Sequence, residues 1–536
     1  MAPRDRSALL DEPTHAWQAG KRDAAICLLE AILREHHDLA DAHLLLGTIL
    51  HQGGQYDDAR DSYTLAHCFQ PAWWPVHLQF GLLELDQGRA DGAIAPLLKA
   101  LELGARDARV HNALGAAYIH TNRVEEALNE FRAALALKPD LAEAHSNLGY
   151  VLFRDLECFE EGAHHIEKAL ELAPEDEAVL CNWNMVLQHR GRVDEALALC
   201  ETLLARDPGL TEAQVSRALI LLTRGDFAAG WAGYEARKAV PRNYWPQDLP
   251  WPEWDGSDLT GKTVFVHPEQ GLGDEIMFAS CLPEFIPRTA QCIVECHPKL
   301  ERLFRRSFPA AHVVRKDSWR KTGLPTDRPP DWKIGMGSLP RLLRLRREDF
   351  PAHGGYLHAD PDRVRYWRER LKALPGTLRV GISWRGGAPS TRRALRSIPL
   401  GEWGPVLTVP GAAFVSLQYS DCAEELARAH ELSGVAIHHW ADALHDYDET
   451  AALVSALDLV ISVQTAVVHL AGALGQRVWA LISAVPEWRY GAMGETMPWY
   501  PSARLIRQQT LGEWDGVLRR VRDDLLAETR HAGAEV

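Results

Sequence analysis

Hydrophobic and polar positions alternate in two different ways along this chain. From about residue 6 to residue 240 apolar side chains recur at helical spacing, and the whole pattern then repeats. Gly47, Gly81, Gly115 and Gly149 stand 34 residues apart; Ala59, Ala93 and Ala127 keep the same step, as do Tyr63, Leu97 and Phe131. Pro71 and Pro139 are two steps apart, and Pro174 and Pro208 continue at 35 and 34. After Lys262 short apolar runs of strand length replace the helical stripe and alternate with helical stretches. Strands are expected at Thr263–His267, Cys292–Cys296, His312–Val314 and Trp332–Gly335. A second set is expected at Arg379–Trp384, Ala413–Leu417, Ala436–His438, Leu459–Ser462, Val478–Leu481 and Arg504–Ile506. Helices are expected between them, including Pro361–Ala373, Thr450–Ala456 and Ala466–Leu474.

A 34-residue period with small, aromatic, small and proline positions is the tetratricopeptide pattern. Small residues let the two helices of a hairpin approach closely, the aromatic is expected to fill the gap to the next repeat, and proline stops the second helix. The period marks out about seven units: 6–39, 40–73, 74–107, 108–141, 142–176, 177–210 and 211–240, with one extra residue near Asp155–Cys158 and a degenerate last unit. Asn112, Asn147 and Asn182 fall near the groove side of the first helices, where an amide can pair with an extended peptide or simply solvate the helix. The array, residues 1–240, is an interaction surface and carries no chemistry.

Residues 241–261 are rich in Pro and Trp (Trp245, Trp251 and Trp254 among them) and cannot form a long helix. This linker is expected to staple the array to the second half of the chain. Two serial α/β units, 262–375 and 376–536, suggest two doubly wound, Rossmann-like domains facing each other across a cleft. At 536 residues the chain is long enough for about three domains. A formal net charge of -15 argues against a nucleic-acid binder or a membrane-surface protein. No apolar run reaches the roughly 18 residues that span a bilayer, so a cytoplasmic protein without membrane insertion is expected. Nine cysteines without CxxC spacing read as reduced, mostly buried thiols, and no metal site is expected.

Two stretches carry candidate chemistry. Gln270–Phe285 lies just after a strand and places Gly271, Gly273 and Asp274 in a tight turn before a helix, where backbone can approach a ligand. Ser455–Leu481 ends a buried strand in Gln464 and Thr465 and starts a helix at once, so the amides of Thr465, Ala466 and Val467 are expected free for an anion. His469, one turn in, either reaches that anion or is a core histidine. Asp446 and Asp448 resemble a metal-binding DxD but directly precede a helix and read as its N-cap.

The motif DLVISVQTAVVHLAGALG resembles the signature of GT-B glycosyltransferases of the heptosyltransferase-like group, and EQGLGDEIMFASCLP resembles the matching motif of bacterial proteins that fuse tetratricopeptide repeats to such a transferase. VGISWRGG, with Arg396-Ser397-Ile398-Pro399-Leu400, and DFAAGWAGYEAR are similar to further segments of these fusions. The resemblance implies an α-solenoid followed by a GT-B fold, an inverting transfer from a nucleotide sugar, and neither a metal nor another cofactor. The donor would lie on the C-terminal domain and the acceptor on the N-terminal one. The residue matching the group's proposed base is Asp274, with His267 and Glu269 as fallbacks if Asp274 only caps its helix. Arg385, Arg393 and Arg396, beside Thr465 and Ala466, are candidates to face a departing diphosphate, and Gln418 lies where a nucleobase can be read. The group carries Asp where this chain has Gln464, which leaves both full and weakened activity open.

Two functions fit. In the first, the groove holds a polypeptide, for example flagellin or another surface protein, and the cleft glycosylates a hydroxyl on it. In the second, the protein is a non-catalytic scaffold with a degenerate ligand-binding module. A GT-B sugar-nucleotide epimerase fits the repeats poorly.

Overall fold

A computed structural model describes residues 8–240, 249–326, 328–387 and 392–534. The chain divides into two compact units, Met1–Trp183 and Asn184–Val536.

The first unit is a stack of helical hairpins: Asp11–Gln18 with Arg22–Glu35, Ala40–Gln52 with Tyr56–Phe69, Trp74–Asp86 with Ala90–Glu102, Ala108–His120 with Val124–Leu137, and Ala142–Arg154 with Phe159–Leu172. These are the expected repeats. The 34-residue glycines explain how they close. A β-carbon on Gly47 would lie 2.6 Å from the Tyr63 ring, one on Gly81 2.4 Å from Leu97, and one on Gly115 2.6 Å from Phe131. The large residue therefore fills space within its own hairpin, and only then meets the next, as Tyr63 does edge-on with Phe80 at 5.8 Å. The extra residue in the fifth repeat is absorbed by Glu157 at φ 57. The groove asparagines bond along the array: Asn147 Nδ2 donates to Asn112 Oδ1 at 3.0 Å, and Asn182 Nδ2 to Ser146 Oγ at 2.8 Å.

The second unit begins inside the helix Glu177–His189, which is followed by Val193–Arg206 and one more hairpin. The last hairpin, Thr211–Arg224 with Phe227–Tyr234, shares one continuous core with the α/β part. Trp231 is 1% exposed, and its indole N–H donates to Arg344 O at 3.0 Å.

The α/β part contains two sheets. In the first, β1 (Thr263–His267) lies between β2 (Gln291–Cys296) and β4 (Trp332–Gly335), with β3 (His312–Arg315) beside β2, all parallel. One face of β1, through Val264 and Val266, joins the shared core. The other, through Phe265, packs with Ile293 and Val314 under Leu249, Trp251 and Trp319. The linker thus covers a sheet face, and its Pro252–Trp254 backbone exchanges hydrogen bonds with Lys333 at the β4 edge. Trp245 lies outside the described residues.

The second sheet has the order β10-β11-β9-β8-β5-β6-β7, with β5 (Leu378–Ser383), β6 (Ala412–Ser416), β7 (Ile437–His438), β8 (Leu459–Val463), β9 (Val478–Ile482), β10 (Thr496–Met497) and β11 (Tyr500–Arg507). Every pairing is parallel except β10 with β11. The strands begin and end within a few residues of expectation; the hairpin strand β10 is an addition to the expected set. The connecting helices used below are α1 (Leu272–Phe278), α2 (Glu301–Ser307), α3 (Pro361–Lys372), α4 (Ala423–Ser433), α5 (Tyr447–Ala456), α6 (Ala466–Ala473) and α7 (Asp515–Ala534). Helix α7 covers one face of the second sheet through Val517, Leu518 and Val521, while α5 and α6 contribute to the core on the other. Helix α3, assigned from the sequence to the first α/β segment, packs on α5: Arg363 Nε and Trp367 Nε1 donate to the Glu449 carboxylate at 2.6 and 3.0 Å.

Candidate functional site

Ligand sites of parallel sheets lie beyond the carboxyl ends of the strands, where the chain turns from strand to helix. In the second unit two such turns meet. The loop after β1 passes through Gln270, at φ 62, into α1, and the loop after β8 enters α6 at Thr465. A β-carbon on Gly273 would lie 3.1 Å from His469 Cδ2 and 3.4 Å from Ala466 Cα. Gly273 is therefore small so that α1 and α6 can approach, and it also lines the cavity between them. Between the two helix starts lies a cavity of about 530 Å³, whose lining includes Gly271, Asp274, Arg396, Gln464, Thr465, Ala466 and His469.

Several of these residues are already engaged. Asp274 is the third residue of α1, and its Oδ2 accepts the Gly271 N–H at 3.3 Å, so it caps the helix as the alternative reading had it. Its Oδ1 accepts from Arg489, through Nε at 2.8 Å and through Nη2. Arg489 also donates from Nη1 to Glu487 Oε2 at 2.8 Å, and its side chain is 14% exposed. Burial opposes the charge on Arg489, but Asp274 and Glu487 outweigh it and hold the guanidinium firmly protonated. Arg396 pairs with Glu487 at 3.2 Å and donates to Gln464 O at 3.1 Å. Arg489, Glu487 and the lining aromatics Tyr419, Tyr447 and Tyr490 are absent from the sequence-based candidates. The one usable signal is position, since the PEWRY segment comes shortly after β9 at the same end of the sheet.

Gln464 is 1% exposed. Its Oε1 accepts the Ser483 N–H at 3.2 Å, which fixes the amide, while its Nε2 has no hydrogen-bond partner among the described residues. The carboxamide thus locks the exit of β9 and leaves a buried donor at the cavity wall. Thr465 is the N-cap of α6, and its hydroxyl takes the Val467 N–H at 3.2 Å. That removes one of the three amides expected to be free. His469 is 5% exposed, with Nδ1 3.1 Å from the Tyr500 hydroxyl, and burial pushes its pKa down to about 3. It lines the cavity as a neutral ring.

Five expectations fail on position. His267 is fully buried on β1, its pKa depressed to about 3 by burial, and it does not line the cavity. Glu269 is also absent from the cavity wall. Its carboxylate accepts from Arg237 Nε and Nη2 at 2.6 and 2.8 Å and from Gly337 N at 2.7 Å, tying the last hairpin to the turn before α1. Arg385 turns to Glu425 at 2.8 Å and Asp421 O at 2.6 Å, away from the cavity, because the start of α4 offers it a carboxylate. Arg393 is exposed and outside the lining. Gln418 is 1% exposed, and its Oε1 accepts the Arg385 N–H at 3.1 Å while its Nε2 donates to Ser420 at 3.2 Å. It closes the exit of β5, and its neighbours Leu417 and Tyr419 reach the cavity instead. Asp446 caps α5 by accepting the Asp448 N–H at 3.0 Å, and Asp448 pairs with both Nη groups of Arg306 at 2.8 Å, as an N-cap cluster should.

The charges decide what the arrangement can do chemically. Arg396, Arg489, Lys299 and the positive end of α6 line the cavity together with the carboxylates of Asp274 and Glu487 and with Tyr419, Tyr447 and Tyr490.

Comparisons with known proteins agree on the repeats. Family models described as "TPR repeat" and "Tetratricopeptide repeat" match residues 117–155 and 11–71. The chain is 32% identical over 513 residues to "Protein FlbA" of Caulobacter vibrioides, covering 91% of this chain and 85% of that one. A 97-residue stretch, 18% of this chain and 16% of the relative, is 34% identical to the peroxisomal targeting signal receptor of Candida glabrata. Among solved structures, Pseudomonas aeruginosa pilF aligns at 19% identity and TM-score 0.34 over 39% of this chain and 95% of that one. YrrB, described as a TPR protein with an unusual peptide-binding site, aligns at 19% identity and TM-score 0.27 over 32% and 88%. Among the described residues no helix is long and apolar enough to cross a membrane.

Proposed function

The chain belongs to the family of Protein FlbA, a likeness that runs through repeats and α/β part alike, and on that premise we propose that both parts serve one activity. The protein is a glycosyltransferase of GT-B type. Its cavity takes a nucleotide-activated sugar, and its repeats present a polypeptide whose hydroxyl receives the sugar. Flagellin or another surface protein is the acceptor class this reading favours.

The observation that carries the reading is the convergence at one cavity of the α6 N-terminus, Arg396, Arg489 and Gln464, whose Nε2 lacks a partner among the described residues. Helix amides and guanidinium groups recognise phosphate, and a buried amide donor without a partner costs roughly 1–3 kcal/mol until an acceptor arrives. During transfer the acceptor hydroxyl attacks the anomeric carbon and the nucleoside diphosphate departs. The charge growing on that diphosphate is met by Arg396, Gln464 and the first amide of α6. The hydroxyl proton passes to Asp274, which among the described residues is the one carboxylate of the first α/β segment that lines the cavity. Gln464, where similar enzymes carry Asp, replaces a negative acceptor by a neutral donor and so makes the cavity friendlier to phosphate.

One observation favours the scaffold alternative: both Asp274 oxygens already accept hydrogen bonds. Incubating the full chain with nucleotide sugars and candidate surface proteins, and weighing the intact products, separates the readings. A hexose-sized or larger mass gain that vanishes in Asp274→Asn supports transfer. Donor binding without any mass gain, across all acceptors, supports the scaffold.

A further inference from the structure

We propose that Arg489 is a phosphate-binding residue that the resting protein holds in reserve, and that its transfer from Asp274 to the ligand exposes the carboxylate for proton abstraction. The inference rests on the glycosyltransferase reading above but concerns how its charged groups are arranged before and after a ligand enters.

The geometry leads there in three steps. The Arg489–Asp274 pair joins residues 215 apart in sequence, one on α1 after the first sheet's β1 and the other after β9 of the second sheet. The pair therefore bridges the two sheet layers across the cavity they line. Arg489 directs Nε and Nη2 at one Asp274 oxygen and Nη1 at Glu487, so its fork is fully committed to carboxylates. A diphosphate entering beside α6 brings stronger acceptors of the same geometry, and a guanidinium binds phosphate by the same two-pronged contact. The anion and Asp274 then compete for one cation. Glu487 stays with Arg396 at 3.2 Å and keeps both arginines oriented. Trp488, whose ring packs edge-on against Trp231 at 5.5 Å and lies 4.7 Å from the Arg489 guanidinium carbon, anchors the loop so that the side chain swings while its backbone stays. When Arg489 leaves, Asp274 keeps only the Gly271 N–H on Oδ2, and Oδ1 is open to an acceptor hydroxyl. The base is thus exposed only when a donor phosphate is in place, so proton abstraction is coupled to donor binding.

Competition makes a prediction that a merely structural ion pair does not. Asp274→Asn keeps the helix cap, because the amide oxygen still accepts from Gly271, and removes the competing charge. The probe is inorganic pyrophosphate, titrated calorimetrically into the full chain, with thermal unfolding measured on the same samples. Asp274→Asn should bind pyrophosphate about tenfold more tightly than the wild type while melting at a lower temperature. Arg489→Met should bind about tenfold or more weakly, and the double variant should match Arg489→Met, since Asp274 has nothing to compete for once Arg489 is gone. Asp274→Asn binding no tighter, or Asp274→Asn and Arg489→Met acting independently, overturns the inference and leaves the donor site intact. No binding of pyrophosphate or of any nucleoside diphosphate to the wild type overturns both the inference and the donor-site reading.

Discussion

Glu269 has the sequence position of a reserve base, and the structure makes it a strut, a difference that can be measured. Glu269→Ala removes three hydrogen bonds at 2.6, 2.8 and 2.7 Å. The side chains of Glu269 and Arg237 are 3% and 2% exposed, so water cannot replace what is lost. Removing one partner of a buried pair costs about 3–5 kcal/mol. Arg237 keeps Glu235 at 3.0 Å, Ser338 at 3.0 Å and Tyr234 O at 3.0 Å, which places Glu269→Ala at the lower end, about 3 kcal/mol by the same reasoning. Arg237→Met strands a carboxylate with one amide donor and falls nearer about 4 kcal/mol. The double variant Arg237→Met with Glu269→Met strands neither charge and should lose only about 1–2 kcal/mol. Urea unfolding followed by tryptophan fluorescence suits the question. Of the eighteen tryptophans only Trp17, Trp73, Trp74 and Trp183 fall in the first unit, so the signal reports the second. Single losses below about 1 kcal/mol, or single losses that simply add in the double variant, refute the strut. So does Glu269→Gln that folds as firmly as wild type yet loses turnover.

Burial and packing elsewhere in the second unit set three further outcomes. Glu275, 4% exposed beside Asp274, has its pKa raised by burial to about 7. The folded state therefore holds its proton where the unfolded chain has released it, and stability falls as pH rises from about 4.5 to about 7. Glu275→Gln should remove that slope and be more stable than wild type at pH 8 by up to about 3 kcal/mol, read by urea unfolding across pH. His267 and His469, both depressed to about 3, contribute stability that is present above pH 6.5 and lost as pH falls toward 3. His469→Gln should flatten that acid limb, and an unchanged limb contradicts its buried neutral state. Gly472→Ala would place a β-carbon 2.3 Å from the Tyr500 ring, whose hydroxyl meets His469. A loss of about 1–3 kcal/mol is expected, and a neutral result on thermal unfolding would show that α6 and β11 are less closely packed.

Much of the fold is legible in the sequence because its signals are local and periodic. Gly47, Gly81 and Gly115 announce their hairpins in register, and the short β-branched run Leu459–Val463 suits the fully buried strand it forms. Thr465, Arg396 and Asp274 come together by the rule that strand exits gather the site. What the sequence withholds is pairing at long range. Nothing near Glu269 says that Arg237 will neutralise it, and nothing near Asp274 names Arg489. Gln418 shows the same limit: it sits at a strand exit as a nucleobase reader should, yet its carboxamide is spent on the backbone of the adjoining loop. The last hairpin shows the same limit, since the period runs through Trp231 while its packing partners lie in the α/β core.

The central claim is that the cavity beneath α6 takes a nucleoside diphosphate. Isothermal titration of the full chain with a panel of nucleoside diphosphates measures this directly. Saturable one-to-one binding of at least one of them is predicted, weakened about tenfold in Arg396→Met. Absence of heat with every nucleotide, in protein shown to be folded, contradicts it.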